Sequence, residues 1–366
     1  MKTLLAATVS MTLAMSAQAA DTIKLGVAGA HSGDLASYGL PTVNAVKLVT
    51  DEVNAKGGID GKQIELLIED DVCKPEVATN TATKLVSEGA DVVIGHICSG
   101  ATKAALPIYT SADILVVSPS ATSPELTQSG DYPNFARTIA ADDVQAKTIV
   151  DFALDELGVS KIAIIHDKGD YGKGLAEFAQ AYLQSKGIEE VLFEGVTPGA
   201  VDYSAIVRKI DRSDAEAVIY GGYHPEASKI VKQMRKKRMD TAFLSDDGVK
   251  DDTFIKVAGK DAEGVYATGP RDNTTNPVTI AAREAHKAAY GDDPGAFYDN
   301  AYAAALAVVA ALENAGSTDL DALKKAMQEN TVDTPVGTIS FAENGDAVGV
   351  GFTMYQVKDG AYVQAK

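Results

Sequence analysis

From Asp21 onward, short runs of β-branched residues alternate with amphipathic stretches of roughly 10 to 18 residues, and Gly, Ser or Asp marks each junction. The runs TIKLGVAG, QIELLIEDD, ADVVIGH, ILVVSPS, KIAIIHD, EVLFEGV, AEAVIYGGY, TAFLSDD and GVYATGP predict strands. Their near-continuous apolar character predicts a parallel sheet covered by helices on both faces. TVNAVKLVTDEVNAKGG, PEVATNTATKLVSEG, DDVQAKTIVDFALDELG, GLAEFAQAYLQSKG and PEASKIVKQMRKKRM predict helices, several closed by a terminal Gly. The series restarts around residues 140 and 269, and nine parallel strands plus a tail exceed one compact sheet, so two similar α/β lobes are expected, the second beginning near Ala141. The last segment, VGTISFAENGDAVGVGFTMYQVKDGAYVQA, alternates polar and apolar residues around Asn344-Gly345 and Asp359-Gly360, which predicts hairpins adding edge strands to both lobes.

The length of 366 residues supports this division, because single cores stop growing at about 250 to 300 residues. A net charge of −18 repels a phosphate backbone, and the short basic run at 232–238 falls on a predicted helix as a solvated face, so no nucleic-acid partner is expected. Met1, Lys2, the apolar run LLAATVSMTLAM and the small-residue ending Ala17-Gln18-Ala19 have the three regions of a secretory signal, with cleavage expected after Ala19. The most apolar later stretch, 301–312, is too short to span a bilayer and predicts a buried helix. In an exported chain the two cysteines, Cys73 and Cys98, pair by default; two buried thiols or a metal pair are the alternatives.

Candidate chemistry is sparse. The histidines, His31, His96, His166, His224 and His286, have no metal spacing. His96, His166 and His224 lie at strand ends, where hydrogen bonding around a site is a commoner role than catalysis. There is no Gly-x-Ser-x-Gly elbow, and GVAGAHSG after the first strand matches neither the dinucleotide fingerprint nor the P-loop. What stands out is the position of hydroxyls, aromatics and one acid where strands run out into helices. These are Ser99, Ser120 and Thr122 in the first lobe and Tyr171, Tyr223 and Asp247 in the second. Ser99 is expected to open a helix and Thr122 to lie in a turn, which joins hydroxyls to free backbone N–H groups and suits a carboxylate. Asp247 supplies an opposed negative charge, and Tyr38, Ile97 and Phe297 are apolar candidates beside it. A carboxylate clamp facing an acid describes a site for a zwitterion.

These residues, in the strings VAGAHSGDLASYG, VNAKGGIDG, EDDVCKP, VIGHICSGAT, SPSATSPEL, IAIIHDKGDYGKGLA, YGGYHPE and DTPVGTISF, resemble the leucine/isoleucine/valine-binding protein family over nearly the whole mature chain. These are type I periplasmic binding proteins that feed ABC importers. The resemblance implies two Rossmann-like lobes with parallel sheets joined by a three-crossover hinge. The expected division is residues 20–140 with 270–347 in one lobe and 141–269 with 348–366 in the other. It also implies a Cys73–Cys98 disulfide. The family's carboxylate and ammonium contacts fall on Ser99, Ser120 (through its main chain), Thr122, Tyr171, Tyr223 and Asp247, and its side-chain pocket on Tyr38 and Phe297. Asp247 stands where leucine-type proteins have Glu, and Ser120 where they have Ala. The expected function is therefore capture of an aliphatic L-amino acid in the periplasm and delivery to membrane permease subunits, by a monomer without catalysis, cofactor or metal. The alternatives are a sensing subunit for another small amino acid, such as alanine or γ-aminobutyrate, and an exported hydrolase built on His96 or His166.

Overall fold

The computed structural model describes residues 22–365, so the expected leader over 1–19 lies outside the described residues. The first five strands are β1 (Ile23–Gly29), β2 (Ile64–Asp70), β3 (Val92–Ile94), β4 (Leu115–Ser118) and β5 (Phe135–Arg137). They form one parallel sheet in the order β2-β1-β3-β4-β5. Its two faces follow from the two-residue period of strands. Leu25, Val27, Val92, Ile94, Leu115 and Val117 enter a core with α1 (Ala36–Ala55) and α11 (Tyr298–Ala315). Ala28, Val93 and Val116 face a second core with α2 (Pro75–Ser87) and α3 (Ser99–Ser111). A fully buried Val, Ile or Leu stabilises by about 1.5–3 kcal/mol, so a register slip of one residue would cost both cores at once. The strand β5 is absent from the predicted runs, because Phe135-Ala136-Arg137 follows Pro133-Asn134 and ends in a charged residue, which leaves no apolar run to register.

The second sheet contains β6 (Ile162–His166), β7 (Leu192–Gly195), β8 (Ala217–Gly221), β9 (Ala242–Ser245), β10 (Tyr266–Pro270), β14 (Phe352–Lys358) and β15 (Ala361–Gln364). Its order is β15-β14-β10-β9-β8-β6-β7, parallel from β6 to β10, with β14 antiparallel to β10. The same alternation sends Val218 and Tyr220 to one core and Ala217 and Ile219 to the other. The helix α5 (Asp142–Asp151) packs on α6 (Asp170–Ser185) and β14, which places it with this sheet. The chain therefore passes between the sheets three times: after β5, after β10 and before β14.

The hairpins occur at the predicted turns, but only one adds edge strands. The Asp359-Gly360 turn joins β14 to β15 at the edge of the second sheet. The Asn344-Gly345 turn instead joins β12 (Gly337–Phe341) to β13 (Ala347–Val348), which with β11 (Val332–Thr334) make a separate three-stranded sheet. It meets the first sheet at β5 through one bridge, Arg137 to Asp346, with the Arg137 N–H donating to the Gly345 carbonyl at 3.0 Å.

The loop between β2 and α2 carries Val72 and Cys73 in the left-handed region, at φ 46° and 61°. The carboxylates of Asp70 and Asp71 accept the Val72 and Cys73 N–H groups at 2.9 and 2.7 Å, holding that geometry. Cys73 is bonded to Cys98, with Cα atoms 5.6 Å apart, so the residue preceding α3 is anchored to α2. Replacing both cysteines with serine should leave the fold intact and lower stability by about 3.5 kcal/mol, from the loop entropy returned to the unfolded chain. Denaturant titration of oxidised wild type and the double variant reads this directly.

Candidate functional site

A cleft opens between the two sheets. Tyr38, Ile97, Cys98, Ser99, Ser120 and Phe297 line it from one side, and Tyr171, Tyr223, Asp247 and Gly248 from the other. Eight of the nine sequence-derived candidates are thus brought to one place, although Tyr38 and Asp247 lie more than two hundred residues apart. The ninth, Thr122, is fully buried in the adjoining loop.

The first wall is a helix end. Ser99 opens α3, and the preceding Cys98 makes no side-chain cap, so the positive end of the helix keeps its N–H groups for another partner. The Ser99 hydroxyl accepts the Ser123 N–H at 3.2 Å, and the Ser120 hydroxyl donates to the Ile97 carbonyl at 2.8 Å. Beneath this loop lies Arg137, fully buried at the end of β5. Its guanidinium donates to the Ala121 and Ser123 carbonyls at 3.3 and 2.8 Å, to the Thr127 hydroxyl at 2.6 Å and to Asp346 at 2.7 Å. One buried cation thereby fixes both ends of the 121–123 turn.

The opposite wall is acidic. The Tyr171 hydroxyl donates to Asp247 Oδ1 at 2.5 Å and accepts the Gly248 N–H at 3.0 Å. Burial pushes the Asp247 carboxyl up, against the opposing pull of Tyr171 and Gln145. Burial and the Asp247 charge likewise push Asp246 and Asp142 well above the ordinary carboxylate range. Tyr38 spans the cleft, its hydroxyl donating to the Gly248 carbonyl at 2.5 Å, and its ring packs against Tyr223 and Phe297 with centroids 6.0 and 5.7 Å away. Phe297 reaches this position from a left-handed backbone, φ 59°, just before α11.

The strand-end histidines are each held in separate hydrogen bonds. His96 is buried between Asp71, 2.5 Å from Nδ1, and the Tyr109 hydroxyl, 3.1 Å from Nε2, and its carbonyl accepts from Thr102 and Ser118 at 3.1 and 2.6 Å. His166 Nδ1 accepts the Lys168 N–H at 3.0 Å, and His224 Nε2 lies 3.4 Å from the Ser37 hydroxyl. Among the described residues no three His, Cys, Asp or Glu side chains are arranged to hold a metal ion. Pattern reading missed Asp142, Gln145 and Arg137. Asp142 and Gln145 stand in DDVQ at the head of a helix, where acids ordinarily answer the helix dipole. Their one distinguishing signal is position, at the point where the chain first leaves the first lobe.

The comparisons fit this architecture. Residues 22–361 match the family model described as periplasmic binding protein. The chain belongs to that family. It is 38% identical to the Leu/Ile/Val/Thr-binding protein of Salmonella typhimurium, over 97% of this chain and 96% of the relative. It is 35% identical to the leucine-, isoleucine-, valine-, threonine- and alanine-binding protein of Pseudomonas aeruginosa, over 92% and 90%. Among solved structures, the branched-chain amino acid transporter substrate-binding protein LivJ of Streptococcus pneumoniae, in complex with isoleucine, superposes with a TM-score of 0.85. It is 29% identical, with 94% of this chain and 100% of that one covered. The leucine-binding protein LivK of Thermotoga maritima, at 24% identity, shares the fold with a TM-score of 0.88 over 94% and 98%.

The buried acids predict how stability varies with pH. Burial raises Asp167 from 3.8 to about 6, opposed by the Gly169 N–H 2.8 Å from its Oδ1 and assisted by the charge of Glu226. The folded state then holds a proton between pH 3.8 and about 6 that the unfolded chain releases, so this group favours folding at acid pH and opposes it as pH rises through the window. Asp167→Asn should stabilise the protein at neutral pH by up to about 3 kcal/mol and flatten the stability profile across that window. Chemical denaturation at stepped pH measures both.

Proposed function

We propose that this protein captures an aliphatic, branched-chain-type L-amino acid between its two lobes and delivers it to the permease of an ABC importer, acting by binding rather than by catalysis. The observation that carries this reading is the convergence in one cleft of an uncapped helix end with Ser99 on one wall and Asp247 on the other. A zwitterion taken out of water needs each charge answered. The ligand carboxylate is assigned to the Ser99 hydroxyl and the α3 N–H groups, where the helix dipole favours an anion. The ammonium is assigned to Asp247 and the Thr122 hydroxyl. Tyr38, Ile97, Tyr223 and Phe297 surround the aliphatic side chain.

The names of the relatives support the ligand class, and the Pseudomonas relative's inclusion of threonine and alanine extends the range toward small side chains. The shorter acid, Asp247, supports the same extension, since it draws the ammonium toward the second lobe. The three passages between the sheets supply a hinge, and closing it over ligand changes the surface offered to the permease. Removal of residues 1–19 on export places the mature chain in the periplasm.

Calorimetric titration with leucine, isoleucine, valine, threonine and alanine tests the reading; binding of at least one is expected, and heat from none would exclude it. Asp247→Ala should weaken the best ligand by roughly 2–5 kcal/mol, because truncation leaves a buried ammonium without its main partner. An unchanged dissociation constant would reassign the acid.

A further inference from the structure

His224 is a strand-end histidine that the reading above leaves without a role. It opens α8 (His224–Lys236), whose Ala227, Ile230, Val231 and Met234 belong to a core of the second sheet. Its ring, however, lies against the first lobe. Nε2 is 3.4 Å from the Ser37 hydroxyl, and the ring centroid is 5.4 Å from that of Tyr38, both residues of α1. His224 is 3% exposed, and Nδ1 is buried with no hydrogen-bond partner among the described residues. A neutral imidazole carries one N–H, which the Ser37 oxygen can accept, and one bare nitrogen. An imidazolium carries two N–H donors, and the one on Nδ1 would be buried in this contact without an acceptor. The positive end of α8 disfavours a cation at the same place.

From the contact of His224 with Ser37 and Tyr38 we infer that this histidine is a latch between the lobes: the neutral ring lets them meet over the ligand, and a proton on the ring holds them apart. His224 acts as a positioning residue, since it does not line the cleft. The inference rests on the reading of the protein as a two-lobed capture protein and adds a pH control to it. Burial lowers the imidazole from its ordinary 6.5, and the carboxylates that face it, Asp251 in its own lobe and the exposed Asp34 ahead of α1, oppose this without reversing it. Asp251 is committed to the helix Asp252–Ala258, accepting the Thr253 N–H at 2.6 Å, and Tyr38 and Tyr223 stay neutral because burial raises both hydroxyls. When the lobes part, His224 faces water and returns toward 6.5. Closure then expels a proton below that value, so affinity falls as pH drops through it and levels off above it.

Titration calorimetry of the full mature protein tests this, using whichever of L-leucine, L-isoleucine, L-valine, L-threonine and L-alanine binds most tightly. The loss of affinity between pH of about 7.5 and about 5.5 should be at least about threefold larger in wild type than in His224→Gln, which keeps a side-chain N–H for Ser37 but cannot take up the proton. The buried acids of the cleft titrate in both proteins, so the comparison isolates the histidine. NMR titration of the His224 imidazole, assigned in wild type, reads the same linkage directly and decides alone should the variant not fold: the pKa of this ring should fall when ligand is added. Parallel pH profiles for wild type and His224→Gln, or a His224 pKa that ligand leaves unchanged, overturn the inference while leaving the amino-acid reading in place. Absence of binding by all five amino acids removes that reading and this one with it.

Discussion

The constraint on which the cleft depends is the burial of carboxylates with too few cations. Asp142, Asp246 and Asp247 are all withdrawn from water at the junction of the two sheets, and Arg137, a fully buried cation near them, already has its donors committed. Desolvating a charge without a partner is expensive, so these groups hold protons or await a cationic one. On the facing wall the sign is reversed by the open end of α3. A cleft with one positive and one negative wall selects dipolar ligands before any shape is considered.

The surrounding structure serves to keep those walls in place. The Cys73–Cys98 bond and the Asp70 and Asp71 turns fix the residue that precedes α3. Arg137 fixes the turn carrying Thr122, and His96, clamped between Asp71 and Tyr109, connects the two through its carbonyl and that of its neighbour Ile97. Tyr171 fixes one oxygen of Asp247 and leaves the other free. Across the cleft, the Tyr38 hydroxyl donates to the Gly248 carbonyl and the Ser37 hydroxyl lies 3.4 Å from His224 Nε2.

Much of this was legible in the chain. The alternation of apolar runs and amphipathic stretches is a local property, and it marked every strand of the parallel sheets except β5. The same local reading put Ser99 at the start of a helix and Asp247 at the end of a strand, and the rule that ligands gather at the carboxyl ends of strands joined them. The pairing of Cys73 with Cys98 was the default for two cysteines in a chain expected to be exported, with free thiols or a metal pair as alternatives, and the structure joins them.

What the sequence by itself determined is the set of elements and the chemical character of their ends, because periodicity, caps and turns act over a few residues. Only the tertiary structure decided which ends meet. Arg137 reads as an ordinary charged residue until β5 is seen to be the inner neighbour of the 121–123 turn, and Asp142 and Gln145 read as a helix start until α5 is seen to begin against Thr122. The hairpin at Asn344-Gly345 reads as an edge of the first sheet, yet it pairs with β11 in a sheet of its own and meets β5 at one bridge. Each of these outcomes depends on sheet order and on the approach of two lobes, which are set by the burial of four apolar cores at once and leave no mark on any short stretch of the chain.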